Sequence, residues 1–195
     1  MEVSGTDNGH GYIDLGLPSG TKWAAYNVGA TKPIEYGDFF AWGETKPKND
    51  YQWSTYQFGN GSNNLTKYNG KDGKDSFLDA EDDAAAVNWG GNWRMPTNAE
   101  QEELLNNCTW TWTTQNGVNG YKVTSKTNGN SIFLPSAGYR YGTSVNSVGS
   151  NGNYWSSSLY ESTPNYAYDL YFYSGNVDWN YDDRSLGRSV RAVCP

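Results

Sequence analysis

Few side chains in this chain could carry out proton transfer or nucleophilic chemistry. Its 195 residues include one histidine, His10. A histidine-rich metal centre is therefore excluded, and a Ser-His-Asp arrangement would have to use that one residue. The two cysteines, Cys108 and Cys194, are too few for a cysteine-based zinc site. The glycine strings GNGS (59–62) and GSNG (149–152) lack the helix and the lysine of a phosphate-cradling loop. Asp182 and Asp183 lie near other acids, but neighbours along a strand point to opposite faces and make a poor acid/base pair. The acids Glu81, Asp82 and Asp83 follow Asp79 at the start of an apolar stretch, where helix capping and the helix dipole explain them. Asp72 and Asp75 in NGKDGKDS (69–76) do not have EF-hand spacing and read as a solvated turn. The expectation is a protein that is not an enzyme, with no cofactor and no metal.

What remains is chemistry suited to binding. Residues 165–184 read NYAYDLYFYSGNVDWNYDDR. With Ala167–Tyr173 as a strand, Tyr168, Leu170 and Phe172 share one face, and Asp169, Tyr171 and Tyr173 share the other. The next segment repeats the alternation, with Val177 and Trp179 against Asp178 and Asn180. One face has the composition of a core. The opposite face has that of a combining site: tyrosine gives large contact area at low entropic cost, and short polar residues give adaptable hydrogen bonds. An ordinary antiparallel sheet with one wet face, rich in tyrosine through β-propensity, fits the pattern equally well.

The elements that must position this stretch are mostly short strands. Aromatic residues make up 16% of the chain and charged residues 18%, so Trp and Tyr must supply much of the buried area. The segments GYIDLG, TKWAAYNVG and YGDFFAWGE read as strands near the N-terminus, and residues 45–76 as a long polar excursion. Two helices follow. One runs through LDAEDDAAAVNWGG, N-capped by Asp79 and stopped at Gly90 or Gly91. The other runs through MPTNAEQEELLNNC, where Thr97 and Glu100 form a capping box and Leu104 and Leu105 aim at the core. From Cys108 onward TWTWTTQ, YKVTSK, SIFLPSAG, NYWSSSLY, AYDLYFY, NVDWN and GRSVRAVC read as strands. Helices early and an antiparallel sheet late predict an α+β fold.

The net charge is −7 and the pI about 4.6. No basic footprint for nucleic acid appears. No apolar run approaches the ~20 residues of a transmembrane helix. No signal peptide is present, and a removed leader is compatible with polar residues directly after Met1. Two free thiols are compatible with a cytosolic protein; a bridge between them would close a long loop worth roughly 4–5 kcal/mol on the chain-entropy model.

The order of YIDLGLPSGTKWAAYNVGA, YGDFFAWGET, NWGGNWRMPTNAEQEELLNNCTWTWT, SIFLPSAGYR and SVRAVCP resembles the Fibrobacter succinogenes major paralogous domain. That resemblance implies a single domain over 1–195 with a C-type lectin-like fold: two short helices, a mainly antiparallel twisted sheet and long loops. The last sixty residues, from GYRYGTSVNSVGSNGNYWSSSLY through RSLGRSVRAV (138–193), further resemble the variable region of a diversity-generating retroelement protein of gut bacteria. There, template adenines are miscopied, and Tyr, Asp, Ser, Asn and Leu are all reachable from AAY codons. The resemblance implies a variable ligand-binding region over 138–191, with Tyr141, Ser147, Tyr160, Asn165, Tyr166, Asp169, Tyr171, Tyr173, Asp178, Asn180, Tyr181, Asp182, Asp183, Ser185, Leu186 and Arg188 as its varied positions. It also implies a Cys108–Cys194 disulfide, export to the cell surface or outer membrane with a lipid anchor, and a protein or surface glycan as ligand. The strings TPN (163–165) and WNY (179–181) lack the carboxylates of calcium-dependent lectins, and no cysteine pair suits a formylglycine-type oxidase. The alternatives are a non-diversified structural or adhesive surface domain and a calcium-independent carbohydrate-binding module.

Overall fold

A computed structural model describes residues 2–70 and 76–195. Asp72 and Asp75 lie outside the described residues. In chain order the strands are β1 (Gly5–Asp7), β2 (His10–Ile13) and β3 (Lys22–Ala24), then helices α1 (Ala84–Trp89) and α2 (Asn98–Asn107). The remaining strands are β4 (Cys108–Gln115), β5 (Val118–Ser125), β6 (Ser131–Pro135), β7 (Tyr139–Tyr141), β8 (Ser144–Asn146), β9 (Gly152–Leu159), β10 (Tyr166–Tyr173), β11 (Asn176–Asp183) and β12 (Val193–Cys194). They form four antiparallel groups: β1-β2-β3-β12, β4-β5-β6, β11-β10-β9 and the ribbon β7-β8. Pairing of β3 with β12 joins the two ends of the chain.

This corrects the expected α+β, C-type lectin-like architecture. The fold is predominantly β. Its two α-helices have 6 and 10 residues, whereas β4, β5, β9, β10 and β11 have 8 each. Four small sheets replace the single twisted one. The physical reason is the density of breakers. Left-handed turns interrupt the chain too often for long helices or one continuous sheet; the β4–β5 hairpin, for instance, turns through Asn116 and Gly117, both at positive φ.

The helical segments show the same effect. In LDAEDDAAAVNWGG the cap is Asp83, not Asp79. Residues Ala80–Asp82 make a 3-10 turn, and the Asp83 carboxylate then accepts from the Ala85 and Ala86 amides at 2.9 and 3.0 Å. Its second oxygen accepts from Met95 N at 2.8 Å, which ties the helix to the next segment. The Thr97/Glu100 capping box of α2 is present as read. Of GRSVRAVC only Val193–Cys194 is strand, and YGDFFAWGE contributes a single bridge, Phe40 to Arg188.

Two buried clusters fill the interior. One gathers Trp42, Trp93, Trp155, Tyr51 and Tyr68; the other packs Leu104 of α2 and Tyr121, Val123, Ile132 and Leu134 against Tyr154, Leu170 and Phe172. Each large ring contributes roughly 4–6 kcal/mol of gross burial before entropy is charged against it. The second cluster fixes which way the β9–β11 sheet faces.

Candidate functional site

Register assigns every side chain of the β9–β11 sheet to a face. In β10 and β11, Leu170 pairs with Trp179 and Phe172 with Val177; in β10 and β9, Leu170 pairs with Tyr154 and Phe172 with Gly152. These residues point toward the β4–β6 sheet and α2, and Leu170 and Phe172 are buried there. Gly152 is required at its position: a Cβ there would lie 2.0 Å from the Phe172 ring. The opposite face carries Asp169, Tyr171 and Tyr173, with Asn180 and Asp178 across on β11 and Trp155 and Asn153 across on β9.

That outer face is not uniformly wet. A segment of the chain returns over it. The backbone of residues 187–189 bonds to β7 on one side (Arg140 N to Gly187 O, 2.7 Å) and to β9 on the other (Trp155 N to Ser189 O, 3.0 Å). It lays the Arg188 guanidinium over the Trp155 ring at 4.7 Å. One Arg188 terminal nitrogen donates to Asp169 and the other to Asp182. Asp169 is thereby 0% exposed. Burial pushes its carboxyl up to about 6, against the pull of Arg188 and with a smaller push from Asp182. Asp169 Oδ1, Arg188 Nε and Asn153 Nδ2 are buried without a protein partner.

Above this charged floor lies a depression of about 460 Å³. Tyr139, Tyr141 and Tyr171 form its aromatic walls, and Asn151, Asn153, Asn180 and Asp182 its polar lining. Asn151 Nδ2 donates to the Tyr171 hydroxyl at 3.3 Å, and the Tyr171 and Tyr173 rings lie 6.0 Å apart. Tyr141 is 61% exposed and Tyr173 43%. Rigid rings around hydrogen-bonding groups, on a floor locked by two ion pairs, form a surface that can recognise a ligand without rearranging.

The structure divides the candidate positions into groups. Tyr141, Tyr171, Tyr173, Asp178, Asn180 and Asp182 share the outer face and its rim. Tyr160, Tyr166 and Tyr181 lie on the other face, where Tyr160 stacks on Tyr181 at 4.0 Å and Tyr166 sits 5.7 Å from it. Asn165 and Asp183 close the outer end of the β10–β11 hairpin, with Arg184 N donating to Asn165 O. Ser147 is exposed in the turn after β8 at φ 57°.

Asp169, Ser185, Leu186 and Arg188 are buried, which corrects their placement on an exposed surface. Asp169 and Arg188 neutralise each other, and Leu186 packs into the larger core cluster. A second correction concerns the inward face. Tyr168 is half-buried and Trp179 is 43% exposed, because α2 covers only part of β11. Tyr139, Asn151 and Asn153 were not read as site residues. Tyr139 stands two residues before Tyr141 in one strand, which is the signal that places it on the same face.

Cys108 and Cys194 are both buried free thiols. They belong to different core clusters, Cys108 beside Leu104 and Tyr121 and Cys194 beside Trp93 and Ala192, so the implied disulfide is absent. Burial pushes Cys108 up to about 11. His10 lies flat on Trp89 at 4.1 Å, and burial lowers its pKa. Oxygens of Asp79, Glu81 and Asp82 gather within 4.8 Å of one another. Lys67 Nζ occupies their centre at 3.0, 3.2 and 2.5 Å, so an ammonium already supplies the positive charge.

Residues 110–193 match the model of a domain of unknown function, DUF8237. The match runs from β4 through β12 and includes the depression and its floor. No curated protein and no solved structure matches the chain. Among the described residues no helix is long and apolar enough to cross a membrane.

Proposed function

We propose that this chain is a non-catalytic ligand-binding module whose recognition surface is the depression on the outer face of β9–β11. The observation that carries the reading is the contrast within one strand face. Tyr171 and Tyr173 stand out toward solvent, while Asp169 beneath them is locked to Arg188. Anchoring rings would supply affinity, and Asn180, Asp182 and Asn151 would orient the ligand. The ligand is a protein or a surface glycan, presented to an exported, surface-held module.

Diversification belongs to the same reading. The positions open to change are Tyr141, Tyr171, Tyr173, Asp178 and Asn180, because none of them holds the core. Sequencing the flanking DNA tests this part: a near-copy of the last sixty codons beside a reverse transcriptase gene is expected.

The binding surface itself is tested by Tyr141→Ala, Tyr171→Ala and Tyr173→Ala together, against panels of purified surface proteins and glycans. The triple variant should lose every interaction that the parent chain makes through this face. Its melting temperature should stay within a few degrees, since these rings are exposed or half-exposed. Unchanged binding by a folded triple variant contradicts the reading.

A further inference from the structure

The inner face of the same sheet carries a second recessed surface, on the side of the sheet away from the proposed recognition site. Helix α2 packs Leu104 into the cluster that holds Leu170 and Phe172 and leaves Tyr168 and Trp179 partly uncovered. Two depressions border the helix, one of about 450 Å³ at its N-terminal end beside Phe77, residues 158–162 and Tyr168, and one of about 520 Å³ between it and β11. Tyr168 lines the first and Trp179 the second, and their rings meet edge to face at 5.8 Å. On the helix side Asn98 lines the first and Glu102 the second, and Asn98 Nδ2 donates to Glu102 Oε1 at 3.1 Å. The two depressions therefore adjoin along the helix. Asn98, Glu102 and Asn106 are spaced i, i+4, i+8, so the helix presents an amide-carboxylate-amide stripe about 12 Å long. Opposite the stripe stand the half-exposed rings of Tyr168 and Trp179, continued by Tyr160 and Tyr181.

From this geometry we infer that the groove between α2 and the β10–β11 hairpin binds a short neutral oligosaccharide. Sugar rings have apolar C–H faces that stack on aromatic side chains, and hydroxyls that both donate and accept. Amides and carboxylates can answer such hydroxyls in pairs. The groove places rings on one wall and amide-carboxylate groups on the other, with Ser158 and Ser162 adding hydroxyls at one end. Its charge selects among glycans. Glu102 and Glu161 line it, and no lysine or arginine does so among the described residues. Sialylated, sulfated and uronic acid chains meet like charge there, and neutral chains do not. The aliphatic residues of the lining, Leu105, Leu159 and Val177, are buried or half-buried, and Phe77 adds an exposed ring to the first depression. Its length suits two or three sugar rings.

The test uses arrayed linear trimers to pentamers of glucose, mannose, xylose and N-acetylglucosamine, beside sialylated and sulfated glycans, with and without EDTA. Neutral oligosaccharides should be retained, EDTA should not matter, and binding should quench tryptophan fluorescence. Trp179→Ala and Tyr168→Ala should each lower affinity at least tenfold, with Trp179→Phe recovering most of it. Tyr171→Ala, on the outer face, should leave it unchanged. That control separates the groove from the recognition surface proposed above, so either can fail without the other. Retention of anionic glycans alone, retention of short peptides with no oligosaccharide, no binding at millimolar neutral sugar, or loss in Tyr171→Ala with full binding in Trp179→Ala would each overturn the assignment.

Discussion

Replacing Arg188 by methionine should destabilise this protein in a pH-dependent way. Methionine keeps an apolar stem over Trp155 but removes the guanidinium that bonds Asp169 and Asp182. Asp169 is 0% exposed and its Oδ1 already lacks a partner, so its charge would be left buried beside Asp182. Removing one member of a buried pair costs about 3–5 kcal/mol. For a chain of this length that is a fall of roughly 6–20 °C in Tm. The pH dependence follows from the direction of the shift. Burial already raises Asp169 to about 6 in the intact triad. Losing Arg188 removes the main influence that lowers it, so the variant titrates above that value. A carboxyl whose folded pKa exceeds its unfolded one, near 4, takes up its proton first in the folded state. Its stability is therefore lost as pH rises through that window and regained as pH falls. The gap between parent and variant should be widest at pH 8 and should shrink at pH 5, where the buried carboxyl is neutral. Urea unfolding of both proteins at the two pH values measures this. A loss below about 1 kcal/mol at pH 8, or an equal loss at both pH values, would refute the claim that an ion pair locks the floor.

Other consequences are simpler. Cys108 and Cys194 should both be silent to a thiol reagent in the native protein and both react once it is unfolded in guanidinium; reductant should leave Tm unchanged. A native mass two hydrogen atoms lighter than the reduced chain, with a Tm that falls on reduction, would restore the disulfide. Gly152→Ala should cost about 1–3 kcal/mol, because the added methyl meets the Phe172 ring at 2.0 Å. A Tm within a degree of the parent would mean that the β9–β10 contact is looser than drawn.

The sequence carried the local rules well. The Thr97/Glu100 box located α2, the alternation in TWTWTTQ located β4, and the alternation in AYDLYFY put Leu170 and Phe172 inside. These depend on residues within one turn or one strand. The failures depend on distant partners. Asp169 reads as exposed because its neutralising cation lies 19 residues away, on a segment whose path over the sheet has no local signal. Trp179 reads as core because alternation fixes the side of a strand but not whether another element covers it. Asp79 reads as a cap because three acids follow it, and only the fold shows Lys67 reaching into their midst. The expected α+β class failed for a related reason. Two helix signals were present, but the lengths of the helices and the splitting of the strands into four sheets were set by turns and long-range pairing. Of the depression's lining, Tyr141, Tyr171, Asn180 and Asp182 were legible and Tyr139, Asn151 and Asn153 were not; Asp169 and Arg188 were named, but as exposed positions rather than as a buried floor.

The central claim is a division of labour along the last strands, with some positions free to vary above others that cannot. Saturation mutagenesis across residues 138–191, scored by resistance of the displayed chain to proteolysis, tests it most directly. Tyr141, Tyr171, Tyr173, Asp178 and Asn180 should accept most substitutions, while Asp169, Leu170, Phe172 and Arg188 should accept almost none. Equal tolerance at Arg188 and Tyr173, or a Tyr171 as intolerant as Phe172, would contradict the account.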